Sequence, residues 1–346
     1  ENITMSLPPV EIPLGAIRFN SDSQKLEYFN GEIWMQVHTF SPNLDGGARG
    51  VFAGGEHNPG TPTYVNTIDY ITISSAGNAT DFGDSTDTLY EGGATSSNTR
   101  GIIVLGYTNP ATSDIIEYIT MSSTGNSVDF GNLTQAARMT CCFSNGTRGV
   151  MAGMYTTPGA KTNTINYVTI ASTGNAQDFG DTTFTGNYGA GNVASPTRGI
   201  RGGANTGSKV NNIEYITTAT LGNAQDFGDL TEVKQSPTGI SNSTRGIFCG
   251  GQLSPGTSKR IDYITIASTG NAREFGDLLN LNYNGGGVSS PTRGVKGGGY
   301  STPTNAGIDV IEYITIATQG DSVDFGNLTV ARTWAPGMSN AHGGLG

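Results

Sequence analysis

Charge is scarce in this chain. Only 13% of its 346 residues are Asp, Glu, Lys or Arg, about half of ordinary usage, and the balance is acidic at −10. Nucleic-acid binding needs clustered cations that displace counterions from phosphate, so 18 Lys+Arg against 28 Asp+Glu argue against it. Cysteine is nearly absent. Cys141, Cys142 and Cys249 make no even framework, the adjacent pair should face opposite sides of a strand, and three free thiols are expected. Long apolar runs are missing too: residues 101–107 fall far short of the roughly 20 needed for a membrane-crossing helix. No cleavable signal segment is visible, and Glu1 suits a trimmed start. His38, His57 and His342 share no ligand spacing and no Asp-x-Asp-x-Asp-Gly loop occurs, so neither metal nor cofactor is expected.

Glycine, by contrast, is abundant: 52 residues, about twice the usual share, without the three-residue period of collagen. Together with 14 Tyr and 13 Phe, the low charge density marks a folded chain rather than a disordered one. An internal repeat explains the bias. One phrase recurs six times: an acidic or amide residue, Tyr, a β-branched run, a Gly-Asn type turn, then Asp-Phe-Gly. Its tyrosines are Tyr70, Tyr118, Tyr167, Tyr215, Tyr263 and Tyr313, and its phenylalanines Phe82, Phe130, Phe179, Phe227, Phe275 and Phe325. A second phrase, Arg-Gly before a short apolar run, starts at Arg49, Arg100, Arg148, Arg198, Arg245 and Arg293.

Each copy reads as four short strands. In the first, residues 50–55 are small and apolar, 67–74 alternate with the period of two that marks a strand, 76–78 supply a hairpin turn, and 80–83 form the next strand. Residues 88–97 lead on to the next Arg-Gly. A period near 49 with four strands per unit predicts an all-β fold, a six-bladed β-propeller over residues 48–346. The repeats open on a blade's second strand, and residues 333–341 match the missing first one, so the last strand is expected to close the ring. A finer period is present as well. Glu117, Glu214 and Glu312 alternate with Asp69, Asn166 and Asp262, and Tyr90, Tyr188 and Tyr283 follow odd copies only. Two blades copied three times predict pseudo-three-fold symmetry, which suits a trimeric assembly.

In its glycines and aromatics the blade resembles the kelch family. Gly54-Gly55, Gly202-Gly203, Gly250-Gly251 and Gly297-Gly298 stand where a kelch repeat has its glycine pair, and Tyr is in place in all six copies. Phe replaces the family's Trp, while copies two and three depart with Leu105-Gly106 and Gly153-Met154. The resemblance implies a propeller and no particular activity. Residues 15–20, 25–31 and 33–35 (Gly-Ala-Ile-Arg-Phe-Asn, Lys-Leu-Glu-Tyr-Phe-Asn-Gly and Ile-Trp-Met) look like the small β-meander of tail-fibre and other structural proteins of tailed bacteriophages. The long blades look similar to virion proteins of marine phages. This resemblance implies an extended attachment arm over 1–14, a small β-meander and linker over 15–47, and a propeller displayed on an extracellular virion surface. Residues 1–47 would then contact other virion proteins. The alternative is a secreted or cell-surface bacterial carbohydrate-binding adhesin.

Candidate chemistry is sparse. Asp-Phe-Gly holds magnesium in protein kinases, but six copies without a phosphate-covering loop or His-Arg-Asp point to structure. The six arginines are expected to form a ring, each beside the Asp of a neighbouring Asp-Phe-Gly, pinning adjacent blades. No Asp box or other catalytic constellation appears, so no enzyme is expected. Variation concentrates in the loops after the glycine strand and after Asp-Phe-Gly, which strand alternation puts on one face. Tyr90, Tyr188, Tyr283 and Trp334 are expected at that face's inner edge, with Tyr64, Tyr107, Tyr155 and Tyr300 on its outer loops. Aromatics beside Asn and Thr suit a host-surface polysaccharide.

Overall fold

The computed structural model describes residues 12–20, 25–36, 48–57, 63–156, 159–186 and 191–345. The chain divides into two compact units, residues 1–44 and 45–346. Of the expected arm and linker, residues 1–11 and 37–47 lie outside the described residues, as does His38. The first unit holds a three-stranded antiparallel sheet: Ile17–Asn20, Lys25–Phe29 and Trp34–Gln36. Arg18 and Glu27 pair across it at 2.8 Å, and the Arg18 guanidinium lies 4.1 Å from the Trp34 ring centre. The alternate positions Ile17, Phe19, Leu26, Tyr28 and Met35 are exposed and apolar.

The second unit is all-β, with a propeller-like arrangement of six antiparallel sheets built on four strands each. Sheet I contains Gly337–Ser339, Arg49–His57, Thr63–Thr72 and Thr80–Leu89; its first strand comes from the far end of the chain, pairing Gly337 with Phe52, Met338 with Val51 and Ser339 with Gly50. Sheet II runs Gly93–Ser96, Arg100–Val104, Ile115–Thr120 and Val128–Asn132. Sheet III is Cys141–Ser144, Arg148–Thr156, Ala160–Thr169 and Gln177–Asp181. Sheet IV follows with Gly191–Ala194, Arg198–Asn205, Lys209–Thr217 and Gln225–Asp229. Sheet V is Thr238–Ser241, Arg245–Gln252, Thr257–Thr265 and Arg273–Asp277. Sheet VI is Gly286–Ser289, Arg293–Gly297, Ala306–Thr315 and Val323–Arg332. Among the described residues there is no α-helix, hence none able to cross a membrane.

No sheet has a core of its own. The third strands carry apolar side chains on both faces, as Ile68 and Ile71 do, and six hydrophobic clusters fill the gaps between successive sheets. The Asp-Phe-Gly phenylalanine of each sheet enters the cluster shared with the next: Phe82 between I and II, Phe130 between II and III, Phe179 between III and IV. Phe227, Phe275 and Phe325 do the same for IV–V, V–VI and VI–I.

Three polar devices repeat at the same junctions. The first is the arginine. Each Nη1 donates to a main-chain carbonyl of the next sheet at 2.7–3.0 Å: Arg49 to Met121, Arg100 to Ile170, Arg148 to Thr218, Arg198 to Ile266, Arg245 to Ile316 and Arg293 to Ile73. The same guanidiniums lie 4.3–4.7 Å from the ring centres of their own sheets' Tyr70, Tyr118, Tyr167, Tyr215, Tyr263 and Tyr313. Each Tyr in turn meets its Phe edge-to-face at 5.9–6.2 Å. The expected aspartate neighbours are therefore replaced by carbonyls. Asp81, Asp129, Asp178, Asp226 and Asp324 are exposed.

The second device is the Gly-Asn turn, which clamps the preceding sheet as well as turning the chain. Gly125 N donates to Phe82 O at 2.7 Å and Asn126 Oδ1 accepts from Asp84 N at 3.0 Å, and the pattern recurs around to Gly77 on Phe325 and Asn78 on Asn327. A Cβ on Gly83 would sit 2.5 Å from the Gly125 carbonyl oxygen, which is why Asp-Phe must be followed by glycine.

The third device is the buried acidic position. Asp69, Glu117, Asn166, Glu214 and Asp262 each accept from a threonine after the preceding Asp-Phe-Gly: Thr329, Thr86, Thr134, Thr183 and Thr231. Glu312 accepts instead from Leu279 N at 2.9 Å. In the odd sheets I and V the shorter aspartate takes a buried cation from the preceding sheet, with Arg332, at the end of that sheet's fourth strand, on Asp69 at 2.8 Å and Lys234, in the loop after it, on Asp262 at 2.9 Å. In the even sheets IV and VI the longer glutamate faces a cation across its own sheet, Arg201 opposite Glu214 and Lys296 opposite Glu312. Reach accounts for the Asp/Glu alternation in sheets I, IV, V and VI.

Two outcomes follow for solution measurements. Glu214→Leu strands the buried Arg201 charge and should cost about 3–5 kcal/mol in urea unfolding, most of it recovered in the Glu214→Leu/Arg201→Met double variant. Burial pushes the Cys141 and Cys249 thiols up to about 12 and also raises Cys142. A thiol reagent at pH 8 should therefore find no fast-reacting cysteine in the native chain and three in denaturant.

Candidate ligand-binding face

Just before its first strand, the chain makes a short ribbon with the end of the second strand in five sheets. The partners are Thr333 with Glu56, Tyr90 with Tyr107, Arg138 with Tyr155, Gln235 with Gln252 and Tyr283 with Tyr300. The residues expected on separate inner and outer loops are thus cross-strand neighbours. Tyr188 lies outside the described residues. A left-handed backbone follows each ribbon. Glu91, Met139, Ser236, Asn284 and Trp334 all have φ of 56–58° although none is glycine. Met139 N donates to Glu91 O at 2.6 Å, Asn284 N to Ser236 O at 3.2 Å, and Trp334 N to Asn284 O at 2.9 Å. Non-glycine residues held at positive φ cost energy and gather at functional sites. Beneath this collar lies a cavity of about 80 Å³, lined by Gly93, Asn192, Thr238, Gly287, Trp334 and Gly337 among others.

The structure brings four of the expected aromatics together. Tyr64 stacks on Tyr90 with ring centres 4.8 Å apart and 18° between planes, and meets Tyr107 edge-on at 5.8 Å. Trp334 meets Tyr90 edge-on at 6.0 Å. Tyr283 and Tyr300 form a separate pair at 5.4 Å. Trp334 stands one position later than the tyrosines, on the left-handed residue itself.

Two charged groups that sequence reasoning missed organise the cluster. Arg138 occupies the ribbon position where Tyr90 and Tyr283 stand in other copies. Its guanidinium lies 5.4 Å from the Tyr107 ring centre and 5.0 Å from that of Tyr155, forming a salt bridge of 3.0 Å to the buried Glu91. Burial pushes the Glu91 carboxyl up to about 7, against the opposing pull of Arg138 and Tyr90. Burial also raises Glu56, opposed by a hydrogen bond from Tyr90. The Tyr90 hydroxyl stays protonated, through burial first and then the charges of Glu91 and Glu56. Across sheets IV and V the surface is amide-rich instead, with Asn205 Nδ2 donating to Gln235 Oε1 and Gln235 Nε2 to Gln252 Oε1 at 2.7 and 2.8 Å. Among the described residues no group of three His, Cys, Asp or Glu could hold a metal ion.

Compared with models of known protein families and with curated proteins, the chain matches none.

A half-exposed aromatic shelf, one cation and a row of amides can stack on and hydrogen-bond to a ligand bearing hydroxyls. The Glu91 proton gives a measurable signature. Between about pH 4.5 and 7 the native protein keeps a proton that the unfolded chain has released, so this group's contribution to stability falls as pH rises through that window. Urea midpoints measured from pH 4.5 to 8 should show that fall, and Glu91→Gln should flatten it.

Proposed function

We propose that the six sheets are blades of a closed β-propeller whose ribbon-bearing face binds host-surface carbohydrate, displayed on the virion of a tailed phage. Three observations support closure. The first strands lie side by side in blade order, and Gly286–Ser289 touches Gly337–Ser339, which touches Gly93–Ser96. Ser96, Ser144, Ser289 and Ser339 hydroxyls each donate to a neighbouring first strand at 2.6–2.8 Å. The VI–I junction carries the same arginine, Gly-Asn and acidic devices as the rest. A kelch-like blade order agrees with this reading.

The carbohydrate reading rests on the aromatic arc Trp334–Tyr90–Tyr64–Tyr107, which offers ring faces to sugar C–H groups beside hydroxyl and amide partners. The virion reading rests on the likeness of residues 15–35 to phage tail meanders. It gains support from the exposed apolar side of that meander, where Ile17, Phe19, Leu26, Tyr28 and Met35 form a surface for a neighbouring virion protein. Labelled full-length chain should bind susceptible bacteria saturably, and removing surface polysaccharide should abolish it. Tyr90→Ala and Tyr107→Ala should each weaken binding at least tenfold. Binding that survives both stripping and the substitutions contradicts a glycan receptor.

A further inference from the structure

The ligand class can be narrowed within that reading, on which this inference rests. Beside the arc, between sheets II and III, runs a groove of about 420 Å³ lined by Tyr107, Pro110, Thr112, Arg138, Tyr155 and Thr156. Tyrosines flank it on both sides and the Arg138 guanidinium lies between them. The volume falls in the range of small-ligand sites. Glu91 pairs with Arg138 on Nη1 at 3.0 Å, and the Arg138 side chain, 27% exposed, lines the groove. A guanidinium carries five N–H donors, so a carboxylate arriving from the groove can share it with Glu91.

We propose that this groove takes an acidic sugar, a uronate residue of a polysaccharide, with its carboxylate on Arg138 and its ring against the exposed part of Tyr107 or Tyr155. The charges around the guanidinium set the conditions. Glu91 faces it directly. Glu56 reaches the same cluster through Tyr90, burial raises the Tyr64 and Tyr90 hydroxyls and keeps them protonated, and the Tyr107 and Tyr155 rings are the other neighbours of the guanidinium. With Glu91 ionised, Arg138 is already paired and an arriving carboxylate meets a second anion. With Glu91 protonated, Arg138 is the unbalanced charge. A uronate keeps its charge across this range, so its binding strengthens as pH falls through about 7.

The test is calorimetric titration of the full chain with galacturonate, glucuronate and mannuronate hexamers, each beside its neutral methyl ester. One free acid should bind at pH 6 at least tenfold tighter than its ester and several-fold tighter than at pH 8. Arg138→Gln should erase the preference for the acid, and Glu91→Gln the pH dependence. Equal affinity for acid and ester in the unsubstituted chain overturns the acidic-sugar assignment, while stripping-sensitive cell binding would leave the carbohydrate reading standing. Binding of no acid or ester overturns it as well, and if cell binding also ignores stripping, both readings fall. The acid-against-ester comparison needs no variant, so a misfolded Arg138→Gln cannot obscure the result.

Discussion

Each of the six sheets of the second unit buries its apolar faces against the neighbouring sheets. Four short strands make too small a surface to be stable alone, and both faces of every third strand are hydrophobic. Stability therefore lives at the junctions, and the repeat is written to serve them. An arginine lies across its own tyrosine and reaches a carbonyl of the next sheet. A Gly-Asn turn grips the preceding Asp-Phe-Gly, and a buried carboxylate or amide holds the preceding loop. The first device combines cation–π contact with a charged donor, the second needs only main chain, and the third tolerates Asp, Glu or Asn by varying the cation.

That last freedom explains the two-sheet period. A short aspartate leaves room for Arg332 or Lys234 arriving from the preceding sheet, and a longer glutamate stands opposite Arg201 or Lys296 across its own sheet. Glu117 and Asn166 have no cation opposite them: Ile103 and Met151 stand in the register positions that Arg201 and Lys296 occupy elsewhere. At Asn166 both members of the pair have changed, an amide facing Met151, whereas Glu117 keeps its buried carboxylate and is held by donors from Thr86 and Ser127 instead of a cation.

Much of the architecture was legible because it repeats. Six matched Tyr and Phe positions and strict alternation in residues 67–74 gave the strands and their number per unit. The pairing of residues 337–339 with the second strand of sheet I follows from the same alignment. What could not be read was the identity of the acceptors. A main-chain carbonyl leaves no mark in the sequence, so Arg49 was matched to an aspartate when its partner is Met121 O. The face was legible in part. Tyr90, Tyr107 and Trp334 stand out as aromatics in variable loops, but the stacking of Tyr90 and Tyr107 depends on Tyr64, which arrives on the third strand of sheet I. Arg138 escaped notice because it breaks the pattern at a position held by tyrosine in the copies with an obvious signal, and Glu91 because its burial depends on tertiary packing.

Amide hydrogen exchange, followed by mass spectrometry on the intact chain, tests the central claim most directly, because a ring is only as stable as its closing pair. In a closed propeller, residues 50–53 and 337–339 should exchange as slowly as the equivalent first and second strands of sheets II to VI, and all should be released together on global unfolding. Fast exchange at 337–339, with the other sheets still protected, would contradict closure. It would also leave Trp334, and with it the aromatic arc, without a fixed support.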